Sequence, residues 1–274
     1  MSHGYATANA LTGLAAASFV WSSAYTTNRT RLNDGRLDVP AASAGSAQGS
    51  GQTLKINLGA ATALVGIALL NHNLASGACT VLVEAATASD YSDAATVKAA
   101  STIVTAAPNQ KDTVLQFPST NKQYWRLTFV HTGTKIVTLG EVMALTSITS
   151  LSRTKIYGHG ENERYITNRN ESDTGQVHAT FLAGPIRTKR FSFKDLQGST
   201  EREELMAMFR ATRGGVTNLL WLEYIESTAT AATAAAQECL WGKISESHGW
   251  SESDFNLFDV DGFELVGLGR EVGA

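Results

Sequence analysis

The chain reads as a mainly β protein of two domains with a single α-helix, and three observations lead there. Through the first half, short runs of alternating or unbroken apolar residues sit between turn clusters, as strands of a sandwich do. Only residues 201–213 carry helical spacing with both a start and a stop signal. After a Ser/Thr-rich stretch at 146–152 the texture changes and charged side chains thicken, which places a boundary between domains 1–148 and 151–274. At 274 residues, each half is long enough to bury a core of its own.

In chain order, residues 54–58 alternate with period two and stop at Gly59. Residues 63–70 are almost wholly apolar, which suits a strand covered on both faces. Strands at 78–85, 114–117, 124–130 and 140–145 continue the series, with loops at 41–51 and 106–113. Strands at this spacing without a strong helix predict a β-sandwich. In the second half, 176–182 and 187–193 read as paired strands around Ala183-Gly184-Pro185, with Phe191 and Phe193 on one face. The helix opens on a Thr200/Glu203 capping box, in which each side chain reaches the other's backbone amide. Leu205, Met208 and Phe209 then form an apolar stripe spaced i, i+3, i+4. Gly214 or Gly215 supplies the left-handed residue that ends it. The strand that follows closes on Trp221, and Asp261-Gly262 reads as a hairpin turn between two later strands.

Composition excludes several function classes. Charged residues make up 17% and the net charge is −3, so no basic field attracts nucleic acid. The two cysteines, Cys79 and Cys239, fall in different halves, which rules out a disulfide framework and points to maturation in a reducing cytoplasm. Met1-Ser2-His3-Gly4 opens no signal peptide, and the most apolar window, 58–70, is too short to cross a bilayer. The chain contains no Gly-x-Ser-x-Gly, Walker, Cys-x-x-Cys or His-Glu-x-x-His motif, and its six histidines are scattered. No catalytic residue, enzyme activity or metal-ligating set is therefore expected. Two loop sites remain. Asn33-Asp34-Gly35 is either a plain turn or an early cation loop, in which Asp34 and carbonyls offer hard oxygen ligands. Asn71 and His72 sit at a strand end, where a loop hydrogen bond or a shallow polar site can form.

Residues 32–145 resemble the discoidin, or coagulation-factor type C, family of galactose-binding-like jelly rolls. The resemblance rests on an ordered series: Leu32-Asn33-Asp34-Gly35, Leu54-Lys55-Ile56-Asn57-Leu58-Gly59, Leu69-Leu70-Asn71-His72-Asn73-Leu74, Val81-Leu82-Val83-Glu84, Gln123-Tyr124-Trp125-Arg126-Leu127, and Leu139-Gly140-Glu141-Val142. It implies a jelly-roll β-sandwich, with Ca²⁺ in the early loop and carbohydrate or cation binding at Asn33, Asp34, Asn71 and His72. Residues 156–266 are similar to the distal-tail and minor-tail assembly family of tailed phages. Arg190-Phe191-Ser192-Phe193, Glu204-Leu205 to Phe209, Arg213-Gly214-Gly215 and Leu220-Trp221-Leu222 carry that likeness. It implies a C-terminal β-sandwich with one helix and a structural role in a tail tip or baseplate. The expected protein is a homo-oligomer, a ring, docking tail tube, hub or fibre proteins in a virion assembled in the bacterial host cytoplasm. No nucleic acid or membrane partner is expected. The rival reading is a carbohydrate-binding host-recognition module that engages a host glycan. Loops 26–38, 71–77 and 106–112 contain no aromatic residue on which a sugar would stack, which weighs against it.

Overall fold

The computed structural model describes residues 3–22, 29–34, 41–46, 51–74, 79–103, 112–132, 136–152, 160–171, 177–197, 200–213, 215–227, 231, 235–244, 249–254 and 257–267. In chain order the strands are β1 (Gly4–Ala6), β2 (Phe19–Trp21), β3 (Ala41–Ser46), β4 (Gln52–Leu70), β5 (Cys79–Ala86), β6 (Ala95–Thr102), β7 (Thr113–His131), β8 (Ile136–Leu139), β9 (Glu141–Leu145) and β10 (Thr149–Ser150). They continue as β11 (Gly160–Glu171), β12 (Val177–Gln197), helix α1 (Glu201–Thr212), β13 (Leu219–Leu222), β14 (Gln237–Ile244), β15 (Gly249–Asp254) and β16 (Leu257–Gly267). The chain divides into two compact units: Met1–Ser150 with Trp221–Leu240, and Leu151–Leu220 with Trp241–Ala274. The segment Trp221–Leu240, assigned by sequence to the second domain, instead packs with the first unit.

The first unit is an antiparallel β-sandwich built around two long strands. The leading half of β4 pairs with β2 and with the trailing half of β7, which pairs with β5, and β5 with β6. The trailing half of β4 pairs with the leading half of β7 and with β9. Each long strand thus changes partners along its length. Sequence divided them at Gly59 and again between 117 and 124; the structure keeps both continuous through a register shift between Asn57 and Thr62. Gly59 makes the bend, at φ +79, with its N–H donated to Asn57 Oδ1 at 2.9 Å. Period two then does the rest: Leu54, Ile56, Ile67, Leu69, Val81, Val83, Leu115, Trp125, Leu127, Phe129 and Val142 point into one core. Strand β6, which has little apolar content, went unseen in the sequence.

Segment 221–240 closes this unit through polar bonds. Lys98, fully buried, donates to the carbonyls of Gln116 (2.9 Å) and Ala231 (2.6 Å). Gln116 Nε2 donates to Tyr224 O (2.8 Å) and Gln237 Oε1 (3.1 Å), while its Oε1 accepts from Glu226 N–H (3.1 Å). Gln237 in turn donates to the Glu226 carboxylate. Residues Gln237 and Glu238 extend β7 at Val114 and Thr113. Trp221 is buried in the same unit, stacked on His3 with ring centroids 5.8 Å apart.

In the second unit β12 is central, flanked by β11 and β16, and β15 pairs with β16. The expected hairpin about Ala183-Gly184-Pro185 does not form. β12 runs straight through, paired with β11, and a register shift opposite Arg164–Ile166 takes up Gly184-Pro185 as a bulge. A bulge accommodates a proline that has no N–H for the ladder. Asp261-Gly262 likewise is no turn: β16 stays extended, with a register shift between Phe191↔Phe263 and Phe193↔Val260. Helix α1 buries Leu205, Met208, Phe209 and Thr212. Phe209 meets Phe263 edge-on at 5.1 Å, and Phe191 stacks on the same ring at 5.1 Å.

The N-terminal end of α1 differs from expectation, and at the C-terminal end Gly215 is left-handed as expected but Arg213 comes before it. Thr200, at φ −122 and ψ −63, lies outside the extended geometry an N-cap needs and makes no side-chain capping bond. Glu201 instead accepts from Gln197 N–H at 3.0 Å, and Glu203 faces Arg210 at 3.5 Å. At the other end the left-handed residue is Arg213, at φ 50, with Gly215 also positive at φ +88. Gly214 lies outside the described residues. Among the described residues no helix is long and apolar enough to cross a membrane.

Candidate cation site and loop end of the first unit

Asn33 and Asp34 follow a single 3-10 turn, Arg29–Leu32, whose Leu32 is fully buried. Asn33 Nδ2 donates to the carbonyls of Leu11 (2.6 Å) and Leu14 (3.1 Å), so the side chain fastens two loops together. Asp34 pairs with Arg31 at 3.1 Å. Asn9 fixes the neighbouring backbone: its Oδ1 accepts from Leu11 N–H and Ala144 N–H, each at 3.0 Å, and its Nδ2 donates to Val142 O at 3.3 Å.

Glu141, the first residue of β9, completes this corner. It is 4% exposed, and its Oε2 has no hydrogen-bond partner. Burial, seconded by the charge of Asp34 and opposed by a hydrogen bond from Asn9, pushes its carboxyl up to about 7. A buried oxygen anion without a donor is costly unless a cation answers it. Glu141, Asp34 and the Asn9 region offer hard oxygen atoms of the kind Ca²⁺ takes. Among the described residues, no three His, Cys, Asp or Glu side chains gather as a metal set.

The second candidate pair lies where β4 ends. Asn71 has φ 48 and donates its N–H to Asp112 Oδ1 at 2.9 Å. His72 is fully buried; its Nδ1 accepts from Leu74 N–H (3.2 Å), which leaves Nε2 as the donor to Thr113 Oγ1 at 2.8 Å. Asn73 copies a strand partner, bonding Ile136 O (2.7 Å) and Thr138 N–H (3.0 Å). The structure therefore groups Asn33 and Asp34 with Asn9 and Glu141, and Asn71 and His72 with Asp112 and Thr113. Asn33, Asn71 and His72 all bond within the protein. In the sequence Glu141 belongs to the strand motif Leu139-Gly140-Glu141-Val142, and nothing in that motif alone marks it as a site. Its signal was an acidic residue opening the apolar run Val142-Met143-Ala144-Leu145.

An open pocket of ≈ 280 Å³ in the same unit is lined by Gln116, Phe117, Pro118, Ile148, Ile225 and Glu226, among others. Its Gln116 and Glu226 groups already hold segment 221–240.

No protein-family profile matches the chain. No curated protein matches it either. Similar solved structures include the lectin domain of lectinolysin complexed with Lewis B antigen, at 18% identity and TM-score 0.40, covering 52% of this chain and 99% of that one. Another is chitosan-binding module 1 from a chitosanase/glucanase of Paenibacillus sp. IK-5, at 18% identity and TM-score 0.38, covering 50% and 97%. A third is the CBM32 of AlyQ in complex with 4,5-unsaturated mannuronic acid, at 17% identity and TM-score 0.39, covering 47% and 94%. Likeness of this degree carries no argument about what this chain binds.

Proposed function

We propose that the protein is a non-catalytic recognition protein of a virion: its first unit is a cation-braced jelly roll that takes a carbohydrate, and its second unit anchors that module in a phage tail or baseplate. The observation that carries the reading is the buried Glu141 carboxylate, whose Oε2 is without a donor beside Asp34 and Asn9. A Ca²⁺ held there by Glu141 and Asp34 would neutralise both charges and tie the 9–14 and 29–34 loops to β9. Carbohydrate is the ligand class to try first because the motif series of residues 32–145 resembles a galactose-binding-like family. Asn33, Asn71 and His72 are committed to internal bonds, so sugar contacts would fall to other loop groups. The test is a glycan array run with Ca²⁺ and with EDTA. The reading expects a reproducible hit that weakens in EDTA; an array blank in both conditions overturns carbohydrate recognition.

A second reading, a structural ring subunit of a tail tip docking tube, hub or fibre proteins, draws on α1, the turn at Arg213 to Gly215 and β13. What supports it is the sequence likeness of residues 156–266 to tail assembly proteins. Electron microscopy of the purified full chain tests it directly: closed rings support this reading, and single particles of monomer size sink it.

A further inference from the structure

The hairpin formed by β11 and β12 outruns the sheet that carries it. β12 meets β16 only from Thr188 to Gln197, whereas β11 stays paired with β12 from Gly160↔Arg190 to Glu171↔Val177. From Glu163↔Arg187 onward the ribbon is two strands wide among the described residues, and β11 is the outermost strand. Two strands alone are marginal in water. An outer strand of 12 residues presents a long row of N–H and C=O groups to any chain that can add to it.

Natural proteins blunt such edges with prolines, lysines or bulges on the outer strand. β11 contains neither Pro nor Lys, and its five charged residues are of both signs, so they repel a partner strand only in some registers. The ladder does carry two register shifts, but both insert their extra residue in β12: Ile186 to Ala183 runs against Arg164 to Ile166, and Ala183 to Phe181 against Ile166 to Thr167. The outer strand itself stays unbroken.

The residue order of β11 also selects a partner. We propose that β11 is a self-association edge, on which a second copy of this chain adds its own β11 antiparallel, centred on Tyr165. In that register Glu161 lies opposite Arg169 of the second copy, twice by symmetry, with Asn162 opposite Asn168 and Glu163 opposite Thr167. No like charges face each other. Sliding by two residues, which keeps the same face outward, sets Glu161 opposite Glu171 in one direction, cancelling the Glu163–Arg169 pair formed there, and Arg164 opposite Arg164 in the other. The charges therefore single out one pairing, and it is isologous. This inference stands apart from the function proposed above, since it rests on the second unit alone.

Charge exchange in the full chain tests it. Sedimentation velocity from about 1 to 200 µM is expected to show a monomer–dimer equilibrium. Glu161→Lys and Arg169→Glu should each weaken the dimer by about tenfold or more, since each replaces two attractive pairs with two repulsive ones. The double variant Glu161→Lys/Arg169→Glu should restore the dimer to within about threefold of the original, because the pairs are re-formed with signs reversed. Circular dichroism of each variant establishes that it is folded. A monomer throughout the range, single variants that leave the equilibrium unchanged, or folded single variants that the double variant does not rescue would each overturn the proposal.

Discussion

Replacing Glu141 by glutamine removes a buried charge whose Oε2 has no hydrogen-bond partner, and the size and sign of the effect follow from the site. The folded carboxyl titrates at about 7 against an ordinary value of 4.5. Because the folded value is raised, the carboxyl's favourable contribution is complete below pH 4.5. It is lost as pH climbs to 7 and stays lost above. The span between those two values corresponds to about 3 kcal/mol at ~1.36 kcal/mol per pH unit. In EDTA, Glu141→Gln should therefore match the original protein near pH 4.5 and exceed it by up to about 3 kcal/mol at pH 8. A bound cation offsets most of this difference. Ca²⁺ at a hundred times its dissociation constant adds about 2.7 kcal/mol to the form that binds it and little to the glutamine variant. Urea unfolding followed by tryptophan fluorescence, at both pH values with EDTA and with Ca²⁺, reads all four combinations. The reasoning fails if the original protein shows no loss of stability between pH 4.5 and 8 in EDTA, or if glutamine destabilises it at pH 8.

Other parts of the molecule make their own predictions. Gly215→Val places a branched side chain at φ +88 against the Ile244 carbonyl, and thermal melting should show the second unit weakened by more than about 2 kcal/mol. Phe263→Ala empties the ring on which Phe191, Phe193 and Phe209 converge, at an expected cost of about 3–5 kcal/mol in denaturant unfolding. Gln116→Ala strands the Glu226 N–H and the Tyr224 carbonyl, and should lower the first unit's stability by about 1–3 kcal/mol in the same assay. A chain ended at Ser150 deprives Lys98 of its Ala231 acceptor, so limited proteolysis should digest it much faster than the same residues within the full protein. Equal protection would show that segment 221–240 is dispensable.

Local pattern was readable where a residue's neighbours in the chain decide its environment. Period two in 54–58 and 124–130 announced the inward faces of β4 and β7, and the 205/208/209 stripe announced the buried face of α1. The ends of elements were less readable. A capping box needs an extended backbone at Thr200, which instead sits at φ −122 and ψ −63, and Gly184-Pro185 became a bulge because β11 continued beside it. Gly59 bent a strand that its sequence context suggested would stop. Long-range placement was invisible. Glu141 acquires its raised titration from burial and from Asp34, more than a hundred positions earlier, and Lys98 is held by a carbonyl at Ala231. For Lys98, burial lowers its proton affinity and Glu226 opposes this. Apolar periodicity reports which side of an element leaves water. The company a charge keeps once buried is set by contacts between distant segments, which no local spacing encodes.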